Sequence, residues 1–343
     1  MDQPMDSLTH IVLGACIGEA FAEKQVGKKA MFWGALMQSL PDIDFVAGFW
    51  LNPANDLLAH RGFTHSFLFI LIVTPLMALV AERIHRPHDI SLKKWLLFFG
   101  VEMLVHVLLD GMNVYGTGWL EPFSHHRFSF DYLFVADPLF TIWPAIAFLA
   151  LLLMSTKNRA ARLRWVKFGL ILSGLYLAFG VLSKTITDNR VKKMAARQGV
   201  GYTRYFSTPT PLNNVLWYVI LEDSTGYHLG YRSLFDSDTS MVFTYFPRNR
   251  ELLKPMEEEE DTHRLIRFSQ GYYTVDKHDS TLVFNDLRFG QMIGWNNPQA
   301  GFVFHYYLQN PADNALVIQR GRFSNWNKEA VLGLLRRMRG NKP

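Results

Sequence analysis

Histidine and aspartate recur at five places in the first part of the chain. His10 stands alone, Asp42 and Asp44 sit in Pro41-Asp42-Ile43-Asp44, and His60 and His65 lie in His60-Arg61-Gly62-Phe63-Thr64-His65-Ser66. His106 precedes Asp110 by four residues, and Asp137 stands before Pro138. A four-residue step puts His106 and Asp110 on one face of a helix, where both can reach one ion. Gly62 lets the chain turn sharply between His60 and His65, so both imidazoles can point inward. Pro41 removes a backbone donor, which favours a helix break at Asp42 and Asp44. Mixed imidazole and carboxylate ligands suit zinc, manganese or iron better than magnesium, which prefers oxygen shells. The candidate ligands are therefore His10, Asp42, Asp44, His60, His65, His106 and Asp110. Seven exceed the needs of one tetrahedral ion, so the expectation is one or two divalent ions, zinc or manganese first. Surplus groups would orient ligands or act as a general base. Arg61 is suited to grip a phosphate or a developing oxyanion, and Asp44 and Asp137 are candidate catalytic carboxylates. Plainer roles also exist: a helix cap for His10, a turn or helix start for Asp137, and a lipid-headgroup anchor for Arg61.

The elements that must position these groups are apolar. Six runs, Leu8–Ala22, Ala30–Trp50, Ser66–Ala81, Trp95–Leu109, Tyr132–Met154 and Val166–Ser183, fall within residues 1–188. A straight bilayer span needs about 20 residues, so the shorter runs must extend into their flanks, be buried in protein or include a re-entrant piece. Asp2 and Asp6 stand where a signal peptide would carry cations, which argues against a cleaved leader. Lysine and arginine alternate by loop: twelve lie in the loops after runs one, three and five, against Arg61 and Arg127 in the two between. The positive-inside bias puts the rich loops in the cytoplasm. All eight His and Asp candidates then fall on the outer side, and everything after Ser183 is extracytoplasmic.

The 343 residues carry 14% aromatic and 19% charged side chains, which excludes a disordered chain. The net charge of +5 resides in short loop clusters, a pattern that fits a membrane protein rather than a nucleic-acid-binding face. Cys16 is the single cysteine, so no internal disulfide forms. Residues 189–343 read as a soluble, mainly β domain. Strands are expected at Leu216–Leu221, Tyr227–Phe235, Met241–Phe246, Leu265–Thr274, Thr281–Phe289, Phe302–Leu308 and Leu316–Gly321. A basic helix is expected at Asn327–Arg339, and the acidic run Glu257–Asp261 reads as a solvated loop. The scattered His228, His263, His278 and His305 read as structural. The expected fold class is an α-helical polytopic membrane bundle followed by a mainly β extracytoplasmic domain.

The ordered set of His10, Pro41-Asp42-Ile43-Asp44, the His60–Ser66 string and His106-x-x-x-Asp110 among short apolar helices resembles the LexA-regulated, membrane-bound metal-dependent hydrolase family, the YdjM-like bacterial inner-membrane proteins. The resemblance covers roughly residues 5–155. It implies a multi-pass protein of the bacterial inner membrane with a hydrolase site built from these His and Asp residues. The expected function is hydrolysis of an ester or phosphoester of an amphiphile at the outer membrane–water boundary. Membrane lipids and an amphiphilic small molecule are the expected partners, and nucleic acid is not. The alternatives are a metal transporter or sensor, and a metal-stapled membrane anchor for the outer domain.

Overall fold

The computed structural model describes residues 4–85, 90–135, 137–237, 239–278, 281–309, 314 and 326–341. The chain divides into two compact units, one of residues 1–49 and 59–179, the other of residues 50–58 and 180–343.

The first unit is helical. Its elements are α1 (Pro4–Val26), α2 (Lys29–Ser39), a 3-10 stretch Pro41–Phe49, a 3-10 turn Phe63–His65, α4 (Phe67–Ile84), α5 (Leu92–Asp110) and α6 (Pro138–Leu153). Helix α3 (Pro53–Ala59) falls almost wholly in the second unit, and α7 (Arg159–Arg197) contributes residues to both. Among the described residues two helices, α4 and α7, are long and apolar enough to cross a membrane, and α6 is apolar but shorter. The expected second run is thus two elements. Helix α2 stops before Pro41, which has no N–H to continue the ladder, and the tighter 3-10 stretch carries both aspartates.

Helices α1 and α2 pack at backbone contact. A Cβ added to Gly14 would lie 2.5 Å from the Gly34 carbonyl oxygen, and one added to Gly18 would lie 2.2 Å from that of Ala30. Small residues one turn apart on each helix make this approach possible. One further turn along each helix, His10 meets Gln38. At the opposite end of α1, Glu19 forms a buried bidentate pair with Arg162 at 2.6 and 2.7 Å. Arg162 also donates to the carbonyls of Leu151 and Met154 at the end of α6. Arg162, read from sequence as a loop cation, is therefore an internal group, because a carboxylate and two main-chain carbonyls replace its water.

The second unit holds two antiparallel sheets. One has the order β1 (Arg204–Pro209), β2 (Leu216–Glu222), β3 (Gly226–Ser233), β4 (Thr244–Pro247); the other has β5 (Tyr273–His278), β6 (Thr281–Gln291), β7 (Phe302–Tyr307). Strand β1 is absent from the sequence expectation. The expected strand Leu265–Thr274 is instead the end of helix α8 (Glu260–Phe268) followed by a turn into β5. Thr262, Leu265 and Phe268 bury one helical face, while Glu260 and Asp261 occupy the first turn. The supposed acidic loop thus supplies a helix N-terminus, where carboxylates are favourable. The C-terminal helix α9 (Lys328–Met338) forms as expected, with Asn327 accepting from the Ala330 N–H at 2.8 Å. The expected strand Leu316–Gly321 lies outside the described residues.

Candidate metal centre

Four side chains from three segments of the first unit converge: Asp42, His65, His106 and Asp110. Asp42 comes from the 3-10 stretch after α2, His65 from the turn before α4, and His106 and Asp110 from the last turns of α5. Their side chains are 24%, 0%, 0% and 1% exposed, so only Asp42 opens to the surroundings. Nε2 of His65 lies 3.1 Å from Nε2 of His106, 3.1 Å from Asp110 Oδ2 and 3.5 Å from Asp42 Oδ1. Nε2 of His106 lies 3.5 Å from Asp42 Oδ1 and 3.6 Å from Asp110 Oδ2. Atoms in a tetrahedral shell about 2.1 Å from one ion are roughly 3.4 Å apart. The five distances given lie around that value, and all four donor atoms are within 4.8 Å of one another.

A surrounding layer fixes which atoms face the centre. His106 Nδ1 meets the main-chain carbonyl of Gln38, which can only accept, so the proton sits on Nδ1 and the Nε2 lone pair points inward. Nδ1 of His65 faces Thr64 Oγ1 at 3.0 Å and Asp44 Oδ2 at 3.4 Å, leaving its Nε2 to the centre as well. Asp110 Oδ2 is buried and faces the centre with Arg61 Nε behind it at 3.1 Å, while its Oδ1 faces His10 Nε2 at 3.2 Å. Three carboxylates, Asp42, Asp44 and Asp110, surround the two imidazoles, and the guanidinium of Arg61 pairs with Asp110. With neutral imidazoles this leaves two negative charges, which suits a divalent cation. The buried acceptor atom, the inward lone pairs and the charge all fit a metal ion.

His65 lies in the turn outside α4, and its proton affinity responds to the same field. Burial alone would lower its pKa. The contacts to Asp110 and Asp42 and the charge of Asp44 outweigh burial and raise it to about 9. Where no metal is bound, a proton on His65 supplies part of the missing positive charge.

The other expected site residues stand around this group rather than in it. His10 bridges Gln38 Oε1 and Asp110 Oδ1 and packs at a tilt of 32° against His106, with ring centroids 3.9 Å apart. Asp44 accepts from the Arg61 N–H at 2.7 Å and from the Thr64 hydroxyl, and its other oxygen meets His60 Nδ1 at 3.2 Å. His60 is 34% exposed and packs edge-on against Tyr115. Arg61 is buried, with Nε 3.1 Å from Asp110 Oδ2 and an N–H donated to Asn113 Oδ1 at 2.9 Å. The left-handed residue of this turn is Arg61 itself, at φ 57°, rather than Gly62. Its buried contacts on both backbone and side chain hold a conformation that non-glycine residues rarely adopt. Ser66 caps α4 by accepting from Phe69 N. Asp137 caps α6, accepting from Leu139 N at 2.8 Å and from the Tyr176 hydroxyl at 2.8 Å, and is not in the convergent group.

Sequence reading missed Gln38 and Asn113. Gln38 reaches the centre twice, through its carbonyl and its amide. A polar amide three residues before Pro41 in an otherwise apolar run was the available signal. Asn113 lies just past Asp110 and had none beyond proximity.

The family model described as "YdjM inner membrane protein" matches residues 5–187, a stretch that includes every residue of the centre. Inner membrane protein YbcI of Escherichia coli (strain K12) is 33% identical over 123 residues, which cover 35% of this chain and 69% of YbcI. The uncharacterized protein YfhP of Bacillus subtilis (strain 168) is 28% identical over 197 residues, covering 55% of this chain and 56% of YfhP. No solved structure matches significantly. A helical unit carrying this buried His–Asp centre, matched over more than half the chain, makes this protein a member of the YdjM inner membrane protein family.

Proposed function

We propose that the protein is a multi-pass inner-membrane hydrolase, with a divalent metal held by Asp42, His65, His106 and Asp110, acting on an ester or phosphoester of an amphiphile. Zinc or manganese suits two imidazoles and two carboxylates. In this reading the β domain and the centre both face outward, as the alternation of basic loops supports. The observation that carries the proposal is the set of inward-facing atoms near tetrahedral spacing, those of His65, His106 and Asp110 each oriented by a second group. When bound, a divalent ion supplies Lewis-acid activation of water and of the substrate oxygen. His106 and His65 hold their lone pairs inward through Gln38, Thr64 and Asp44. His60, fixed by Asp44 and the most exposed imidazole beside the centre, is placed to take or give a proton through its outer nitrogen. Arg61 neutralises Asp110 and so acts on the substrate only indirectly. The test is metal content and turnover of p-nitrophenyl esters and phosphodiesters by detergent-purified wild type and His65→Ala. Bound metal with turnover in wild type, both lost in the variant, is expected; stoichiometric metal without turnover of any ester would remove the hydrolase reading.

Two observations favour rivals. Four protein ligands are also what a structural site uses, which supports an ion that merely staples α2, α4 and α5. Glu102, two turns before Asp110 on α5, is fully buried with the Gln38 side chain as its polar neighbour, and a buried acid of this kind suits an ion pathway. Metal uptake by proteoliposomes, abolished in Glu102→Gln, would favour transport.

A further inference from the structure

Of the four converging side chains only Asp42 is appreciably exposed, and the chain there is unusually apolar. The stretch Pro41–Phe49 is a 3-10 helix, in which side chains three apart eclipse one another. Pro41 and Asp44 form its buried column. Asp42 therefore shares a column with Phe45, which is 58% exposed, and the third column carries Ile43 and Phe49, 49% and 69% exposed. A metal ligand and a bare phenyl ring stand side by side at the entrance.

This exposed face continues into a candidate membrane helix. The stretch packs against the turn Phe63–His65, whose exposed Phe63 meets Phe69 of α4 edge-on at 5.9 Å. Helix α4 then presents Leu71, Ile72, Leu76 and Leu79, all more than half exposed. Apolar surface of this extent is stable against hydrocarbon and costly against water. The stretch Pro41–Phe49 carries no basic residue that would suit an anionic protein partner.

We infer that the 3-10 stretch Pro41–Phe49 lies in the bilayer surface and admits a lipid sideways, its polar group at Asp42 and its hydrocarbon chain along Phe45 and Ile43. This rests on the hydrolase reading and adds to it a substrate class and the residues that select it. A water-soluble ester lacking the chain would forfeit the contact with Phe45 and Ile43.

Two measurements test it separately. Nitroxide labels at Phe45→Cys and Phe49→Cys, in the full chain in phospholipid nanodiscs, report local solvent; Cys16 is buried, and the unsubstituted chain is the labelling control. Both labels should collide with oxygen more than with a water-soluble nickel chelate, like a label at Leu76→Cys and unlike one at Glu257→Cys. Accessibility matching Glu257→Cys would overturn the inference whatever the enzyme does. The second measurement compares acetyl and dodecanoyl forms of one p-nitrophenyl ester. The metal-loaded wild type should prefer the long chain in kcat/KM by at least about tenfold, the worth of roughly two buried methylenes. Phe45→Ser should lose most of that preference through KM with bound metal unchanged. Equal efficiency on both esters would sink the lateral route and leave the hydrolase standing. Failure to hydrolyse either would sink the hydrolase reading, and the labels would still decide where the stretch lies.

Discussion

Nε2 of His65 and Nε2 of His106 face each other at 3.1 Å, each turned there by an acceptor behind its ring. Two imidazole lone pairs at this distance repel unless a cation or a proton lies between them. The choice between those two occupants makes metal binding depend on pH in a calculable direction.

His65 without metal holds its proton up to about pH 9, and the ion must displace that proton. Below pH 9 each unit of acidification should weaken apparent metal affinity about tenfold, and above it the dependence should flatten. Chelator competition at pH 6, 7, 8 and 9 checks this, and affinity independent of pH across that window would show that His65 is not a ligand.

His10 and Asp44 should behave differently from the ligands they support. His10→Ala removes the partner of Asp110 Oδ1, and Asp44→Asn weakens the hold on His65 Nδ1. Each should lower metal affinity roughly 10–100-fold, as loss of an orienting group does, while Asp110→Ala should abolish stoichiometric binding. Metal content after dialysis against graded chelator separates the two classes.

Arg61→Ala should be chiefly a stability variant. Removing one partner of a buried ion pair costs about 3–5 kcal/mol, because Asp110 would keep its charge without the guanidinium beside it. A lower Tm in detergent, partly restored by saturating metal, is expected. Arg61→Lys should restore little, since one ammonium cannot replace the separate contacts to Asp110 and Asn113. An unchanged Tm in Arg61→Ala would return the guanidinium to the anion-binding role expected from sequence.

Gly34→Ala should lower stability by at least about 1–3 kcal/mol, the usual cost of overpacking. The added Cβ would lie 2.0 Å from the Gly14 carbonyl oxygen, a backbone atom that cannot step aside. Gly174→Ala on α7, where nothing lies within 4 Å, is the control and should be neutral or slightly stabilising.

Much of the centre was legible because charge inside an apolar run has few innocent explanations. Asp42 and Asp44 after Pro41, and His106 four before Asp110, carried their geometry in their spacing. Division of labour was not legible. Asp44 and His60 look as much like ligands as Asp42 and His65, and only the three-residue period of the 3-10 stretch turns Asp42 outward toward the centre and Asp44 beneath it. In the second unit, β2 and β3 announced themselves by β-branched and aromatic residues. Helix α8 did not, because its buried Leu265 and Phe268 run directly into the strand-like Tyr272 and Tyr273, which hides the change of period.

The hairpin of α1 and α2 makes the centre sensitive to a place far from it. Gly27 and Lys28 alone join the two helices, with Gly27 at φ 59°. From that turn the pairing runs like the teeth of a closed zip: Gly18 on Ala30, Gly14 on Gly34, His10 on Gln38. One residue inserted in the turn would move every tooth by about 100° of helix rotation. Gln38 would then carry its carbonyl away from His106 about 15 Å of helix from the insertion, and a chain with all four candidate ligands intact would lose the shape that gathers them. The length of a two-residue turn at one end of the helices is in this sense a component of the candidate metal centre at the other.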